Sequence, residues 1–242
     1  MTTIIGIKAN SGIEGIVVAA DRQLNHYDDP PAEKFIRKEQ INKITYGRDW
    51  IIGDAGGVSN HFSVFLNSKK AKMKEMIYSA VQRYYQNPRS KKTHFPEVNE
   101  INTLVKRNGA EDDCLHSMLL AAKVEKRIGL WYVDEFGNLK ESAGTKEKKE
   151  FYLTLGTGED YVAKHITALS EKGSIDHDAI TIPEAINLAT KCLEEAEQDP
   201  NTSGLDLAVL TSKGVDYYGH SIQQTMEKQK KSMINRIKKQ YQ

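Results

Sequence analysis

The chain has little cysteine, no long apolar run and almost no net charge, and each shortage removes a class of protein. Two cysteines in 242 residues, Cys114 and Cys192, do not make a disulfide framework. No stretch of about 18 apolar residues occurs, so no transmembrane helix is expected. A formal net charge of +1 gives no global field to recruit nucleic acid or acidic lipid. No charged start with an apolar core and a cleavage site marks a secretory leader, so a cytoplasmic protein is expected. The seven histidines are scattered, without the His/Cys spacing of a zinc site. Gly156-Thr157-Gly158 is too short for a phosphate-binding loop and lacks the following lysine. No metal or other cofactor is expected. No internal repeat is evident, and low complexity is confined to a Lys- and Gln-rich tail. What remains is 39% apolar residues, enough for a core.

The informative stretch is the first. Met1-Thr2-Thr3-Ile4-Ile5-Gly6-Ile7-Lys8 starts inside a strand rather than in a polar, frayed end. A methionine before a small residue is readily trimmed, and trimming exposes the α-amine of Thr2 beside its own hydroxyl. A threonine hydroxyl is a weak nucleophile until a base takes its proton. An α-amine, with a reference pKa of about 7.7–8.0, is partly neutral at cell pH and can be that base.

Ile4 to Lys8 and Gly15 to Asp21 read as paired strands joined by a Gly-rich turn. A polar loop with Pro30-Pro31 follows, then a strand from Gln40 to Thr45 carrying Lys43, and another over Trp50 to Gly53. Met73, Met76, Ile77, Ala80, Val81 and Tyr84 recur at helical steps, in a helix expected to start near Val58 and break at Lys69-Lys70. Glu97 to Arg107 reads as a second helix. Strands return over 117–124, 127–134, from Leu139, and over 151–155. A helix is expected over about 159–169. Another starts at Thr181-Ile182-Pro183-Glu184, which has a Thr cap, an early Pro and Glu three residues on. Leu205 to Thr211 and Val215 to Gly219 close the series. Strand runs alternating with helix pairs predict an α+β chain with two antiparallel sheets packed together and helix pairs outside, not a parallel βαβ array. Residues 1–220 are expected as one domain. Residues 221–242 read as a basic amphipathic helical tail, open to docking on its own domain, a subunit contact or an acidic surface.

The ordered set resembles the proteasome β-type subunits of the N-terminal nucleophile hydrolase superfamily, over roughly residues 2 to 219. It comprises Thr2-Thr3 opening a strand, Ala19-Ala20-Asp21 ending the next, Lys43 in Ile41-Asn42-Lys43-Ile44 and Gly56-Gly57. Leu130-Trp131-Tyr132-Val133-Asp134, Gly156-Thr157-Gly158, Pro183-Glu184-Ala185 and Asp199 before Thr202-Ser203-Gly204 complete it. The resemblance implies a four-layer αββα sandwich and a threonine-type endopeptidase acting on peptides or unfolded protein. It implies Thr2 as nucleophile, Lys43 as the cation lowering the pKa of the threonine hydroxyl and amine, and Asp21 as the carboxylate pairing with Lys43. It implies Gly57 as the backbone oxyanion donor, Thr157 where the family usually has serine, and Asp199 with Ser203 as a pair bonding the amine and the lysine region. The Asp199–Ser203 stretch is one residue longer than the family's usual spacing, so either Thr202 or Ser203 fits the hydroxyl role. The segment between Asp21 and Lys43 and the hairpin before Asp21 are also longer. A propeptide is expected to be absent, leaving only Met1 to protect the amine.

Leu24, Ile41, Ala55 and Ser59 match the positions lining the pocket for the residue before the cut bond, and predict an apolar preference there. The family implies a homo-oligomeric ring or double ring, with an ATPase unfoldase or an α-type ring as further partners. Two other readings stay open: a peptide ligase or transpeptidase using the same acyl-enzyme, and a catalytically silent ring-forming subunit.

Overall fold

Ile4, Ile5 and Ile7, with Ile16-Val17-Val18-Ala19-Ala20, form two neighbouring strands with both faces buried. The computed structural model describes residues 2–27, 35–55, 60–88, 93–107, 117–142, 151–176, 178–199, 202–223 and 227–242. In chain order the elements begin with strands β1 (Thr3–Ala9), β2 (Gly15–Ala20), β3 (Gln23–Tyr27), β4 (Phe35–Gln40), β5 (Ile44–Tyr46) and β6 (Trp50–Ala55). Helices α1 (Asn60–Gln86) and α2 (Pro96–Arg107) follow, then β7 (Ser117–Val124), β8 (Arg127–Val133), β9 (Leu139–Glu141) and β10 (Tyr152–Gly156). The chain continues through α3 (Glu159–Glu171), α4 (Ile182–Ala196), β11 (Asp206–Thr211), β12 (Gly214–Tyr217), α5 (Gly219–Gln223) and α6 (Glu227–Lys239).

Among the described residues, two antiparallel five-stranded sheets result. One runs β10-β1-β2-β11-β12, the other β5-β6-β7-β8-β9, and β3 pairs with β4 in a separate ribbon. The fold class is α+β, as the element order predicts. Strand alternation divides the apolar residues between three clusters. Ile4, Ile16, Val18, Ala20, Ala208 and Leu210 of the first sheet share a cluster with Ile51, Leu119, Ala121 and Leu130 of the second. The first sheet's other face, with Ile5, Ile7, Val17 and Ala19, packs on residues of α3, α4 and α6. The second sheet's other face, with Ile52, Leu120 and Trp131, packs on Met73, Ile77, Ala80 and Val81 of α1 and Val98 of α2. Each buried Ile, Leu or Val contributes about 1.5–3 kcal/mol relative to exposure.

α4 starts as its sequence predicts. Thr181 accepts the Glu184 N–H, and the Glu184 carboxylate accepts the Thr181 N–H in return. Three expectations are corrected. The helix break at Lys69-Lys70 does not occur: both lysines lie on the exposed face of α1, which needs no apolar residue there, and lysine is a good helix former. The segment after Asp21 is not all loop, because β3 runs to Tyr27. Lys43 is not on a strand. β4 ends at Gln40, β5 starts at Ile44, and residues 41–43 bridge between the ribbon and the second sheet.

The tail folds as α5 and α6, and Ile222, Ile234 and Ile237 are buried in the cluster beneath α4. Tyr241 closes the end, donating to Asp216 and sharing a hydrogen bond with Tyr218. The tail thus docks on its own chain, the first of the three readings. No described helix is long and apolar enough to cross a membrane.

Candidate active site

Antiparallel pairing brings Thr2, Asp21 and Thr157 to one end of the first sheet. Ile4 and Asp206 both register against Ala20, so the start of β1, the end of β2 and the start of β11 lie side by side. Thr3 registers against Gly156, which adds the end of β10. Thr2 is buried at the head of β1 and Asp21 lies just beyond β2.

Asp21 has no exposed surface and is saturated with donors. Lys43 Nζ donates to both carboxylate oxygens, at 2.9 and 2.8 Å. The Thr3 N–H donates to Oδ1 at 2.6 Å and the Gln23 N–H to Oδ2 at 3.0 Å. The Lys43 side chain is only 4% exposed. The ammonium and the amide immediately after Thr2 therefore share one carboxylate oxygen.

Burial pushes the Asp21 carboxyl up from its ordinary range, against the pull of Lys43 and the two amides. Burial likewise pulls the Lys43 ammonium down, against Asp21 first and then Asp54 and Asp206, which favour its charge. A carboxylate taking four donors has no lone pair to spare for a proton, so the geometry favours the ionised pair.

The glycines flanking Thr157 have a job that sequence did not reveal. Gly156 sits at φ +104°, and a Cβ there would lie 1.7 Å from the Thr2 carbonyl oxygen. That oxygen accepts the Thr157 N–H at 2.8 Å. A Cβ on Gly158 would lie 2.2 Å from the Thr3 hydroxyl oxygen. The pair thus lets β10 close over Thr2-Thr3, and Thr157 meets Thr2 through its backbone while its own residue is exposed. Gly156→Ala is expected to destabilise the protein by about 1–3 kcal/mol and to displace Thr2, since the backbone would leave a conformation closed to other residues. Denaturant titration and a shifted Thr2 NMR signal check it.

The ambiguity between Thr202 and Ser203 resolves into two different contacts. Thr202, buried, shares a 3.1 Å hydrogen bond with the Thr3 hydroxyl. Ser203 donates to the Gln23 side-chain oxygen at 2.7 Å, and its carbonyl accepts the Arg22 N–H. Asp199 is buried where α4 ends, and its carbonyl accepts the Thr202 N–H. Ala55 is buried at the end of β6 and Ile41 is half-buried beside Arg22, whose carbonyl accepts its N–H. Leu24 lies on β3, but its side chain is outside the described set. Met1, Gly57 and Ser59 lie outside the described residues. Among the described residues, no group of three or more His, Cys, Asp or Glu is placed to hold a metal ion.

Sequence reading missed Arg22, Gln23, Thr3 and Asp206. Asp206 carried a usable signal: it is a lone acid in the apolar run Leu205-Asp206-Leu207-Ala208-Val209, and a carboxylate there needs a buried partner. No protein-family model matches the sequence, and no curated protein matches it.

Proposed function

We propose that this chain is a threonine-type endopeptidase of the proteasome β type, built as a four-layer αββα sandwich and acting on peptides or unfolded protein. The observation that carries the reading is the Asp21 carboxylate, which grips the buried Lys43 ammonium and the amide next to Thr2 with the same oxygen. Cleavage of the Met1–Thr2 bond gives Thr2 a free amine. In this reading the freed amine takes the hydroxyl proton as Oγ attacks a peptide carbonyl, with the Lys43 ammonium as the nearby charge held by Asp21 against the Thr3 amide. The tetrahedral oxyanion collapses, the leaving amine takes the proton, and an ester to Thr2 remains. Water, deprotonated by the same amine, then releases the acid and restores the hydroxyl. Three clusters of apolar side chains, one shared between the two sheets and one under each helix set, support the layered arrangement.

Intact mass of the purified protein with and without a peptide β-lactone tests this. Lactone opening by Thr2 adds the whole inhibitor mass, because no group leaves. The expected result is a protein lacking Met1 that gains one inhibitor mass. A protein lacking Met1 that gains none sinks the peptidase reading. Among fluorogenic peptides, Leu or Tyr before the cut bond is expected to be preferred over Arg or Asp. A preference for either charged residue removes the apolar pocket assigned to Leu24, Ile41, Ala55 and Ser59.

A further inference from the structure

A second buried carboxylate lies behind the first. Asp206 has no exposed surface and takes donors from three separate parts of the chain. Arg22 Nη1 reaches Oδ1 at 3.0 Å and the Tyr217 hydroxyl reaches the same oxygen at 2.7 Å. The other oxygen, Oδ2, accepts the Lys43 backbone N–H at 3.3 Å. Gly219 crosses directly over this carboxylate: a Cβ there would lie 2.1 Å from Asp206 Oδ1 and 2.2 Å from the Tyr217 hydroxyl. The Tyr217 ring stacks on Tyr46 of β5, with centroids 4.6 Å apart and planes 22° off parallel. Burial, then the Asp206 carboxylate, push the Tyr217 phenol well above its ordinary range, so it stays a donor.

This arrangement matters because Lys43 lies between strands. β4 ends three residues before it and β5 begins one residue after. Its carbonyl accepts the Asp54 N–H at 3.2 Å, and its N–H is taken by Asp206. A lysine side chain has four rotatable bonds, so where its ammonium stands depends on where its backbone is pinned. The adjacent Asp21 and Arg22 serve the two halves of that task. Asp21 grips Nζ, while Arg22 neutralises the carboxylate that grips the backbone.

We infer that Asp206 is a positioning residue of the candidate site: held by Arg22, Tyr217 and the close pass of Gly219, it fixes the Lys43 backbone and sets where the ammonium stands. The charges alternate through the group, Asp21, Lys43, Asp206 and Arg22, with Asp54 on β6 as the further acid acting on Lys43. A buried group of this kind is tolerated because each charge has an opposite neighbour and directed hydrogen bonds. The role has catalytic meaning only if Thr2 is the nucleophile, so the test reads Lys43 itself as well as Thr2.

The experiment uses the full chain, with Asp206→Asn and Tyr217→Phe compared with the parent. In Asp206→Asn, loss of a nearby negative charge is expected to move the Lys43 titration, followed by the NMR shift of its Cε, to lower pH. A role confined to packing would leave that titration in place. In Tyr217→Phe the charge and the stacked ring stay while the carboxylate loses one donor. Amide exchange at Lys43 is expected to speed up several-fold. Acylation of Thr2 by the β-lactone is expected to slow about tenfold in either variant, with the inhibitor's binding constant unchanged. An unmoved Lys43 titration in Asp206→Asn overturns the inference. Should that variant not fold, unchanged Lys43 amide exchange in Tyr217→Phe overturns it. A parent whose Thr2 is never acylated overturns the peptidase reading instead, and the Lys43 measurements still decide the role of Asp206.

Discussion

On the proposed chemistry, the Thr2→Ala protein is expected to fold like its parent and to lose at least about three orders of magnitude of peptide-cleaving activity. Folding should survive because the contact that fixes residue 2 is made by its backbone, whose carbonyl accepts the Thr157 N–H whatever the side chain is. Asp21 likewise holds the Thr3 amide, not the Thr2 side chain. Activity should not survive, because alanine leaves the amine and Lys43 in place and removes the only atom on residue 2 able to form the ester. Thr2→Ser keeps that atom, and is expected to keep acylation at a reduced rate. Fluorogenic peptide cleavage, thermal unfolding and β-lactone labelling are measured on all three proteins. An alanine variant as active as its parent would leave a ring-forming subunit without threonine chemistry as the better reading. The same proteins separate hydrolysis from ligation. With an added amine peptide, a transpeptidase converts its acyl-enzyme to a new peptide bond, detected by mass, where a peptidase releases the acid. Both products need Thr2.

Much of the architecture was legible because burial on two faces leaves a plain mark. Ile16 to Ala20 is apolar without alternation, and each residue proves to lie in one of two cores on opposite sides of the same sheet. The Thr181 capping box was equally readable, since its bonds link residues three apart. The ribbon of β3 and β4 was not: Gln23 to Tyr27 is polar, and its strand character comes from pairing with residues 35–40, which local pattern does not reveal. Ile41 and Ile44 read as a strand around Lys43, but the residue lies between β4 and β5. What takes its N–H is a side chain 163 positions along the chain. In the sequence, Asp21 and Lys43 are paired only by the resemblance to the proteasome β-type subunits. Gly156 stands in a visible Gly-Thr-Gly triplet, but its reason is the Thr2 carbonyl 154 positions earlier, and such a contact has no local signature.

Breaking the Asp21–Lys43 pair from either side is expected to cost about 3–5 kcal/mol, a large part of the roughly 5–15 kcal/mol of a typical domain. The two losses should respond to pH in opposite directions. In Lys43→Met the buried Asp21 carboxylate loses its cation, so its folded-state pKa, already raised by burial, rises further. The folded protein then holds a proton that the unfolded chain releases, and stability falls as pH rises from acid towards neutral. In Asp21→Asn the buried Lys43 ammonium loses its carboxylate, so its pKa, already lowered by burial, falls further. Here the unfolded chain holds the proton that the folded one releases, and stability rises as pH climbs towards the ordinary lysine range. Asp21→Asn also keeps a side-chain oxygen for only one of the two amides, Thr3 or Gln23, so part of its cost should not depend on pH. The double variant leaves neither charge buried alone and should be less destabilised than the sum of the singles, with its pH slope largely gone. Denaturant midpoints for the parent and three variants across pH 4 to 10 would measure this. Singles that simply add, with no slope of either sign, would mean the two groups are not in contact in solution. The proposed chemistry would then lack its buried cation, even if every strand of both sheets were in place.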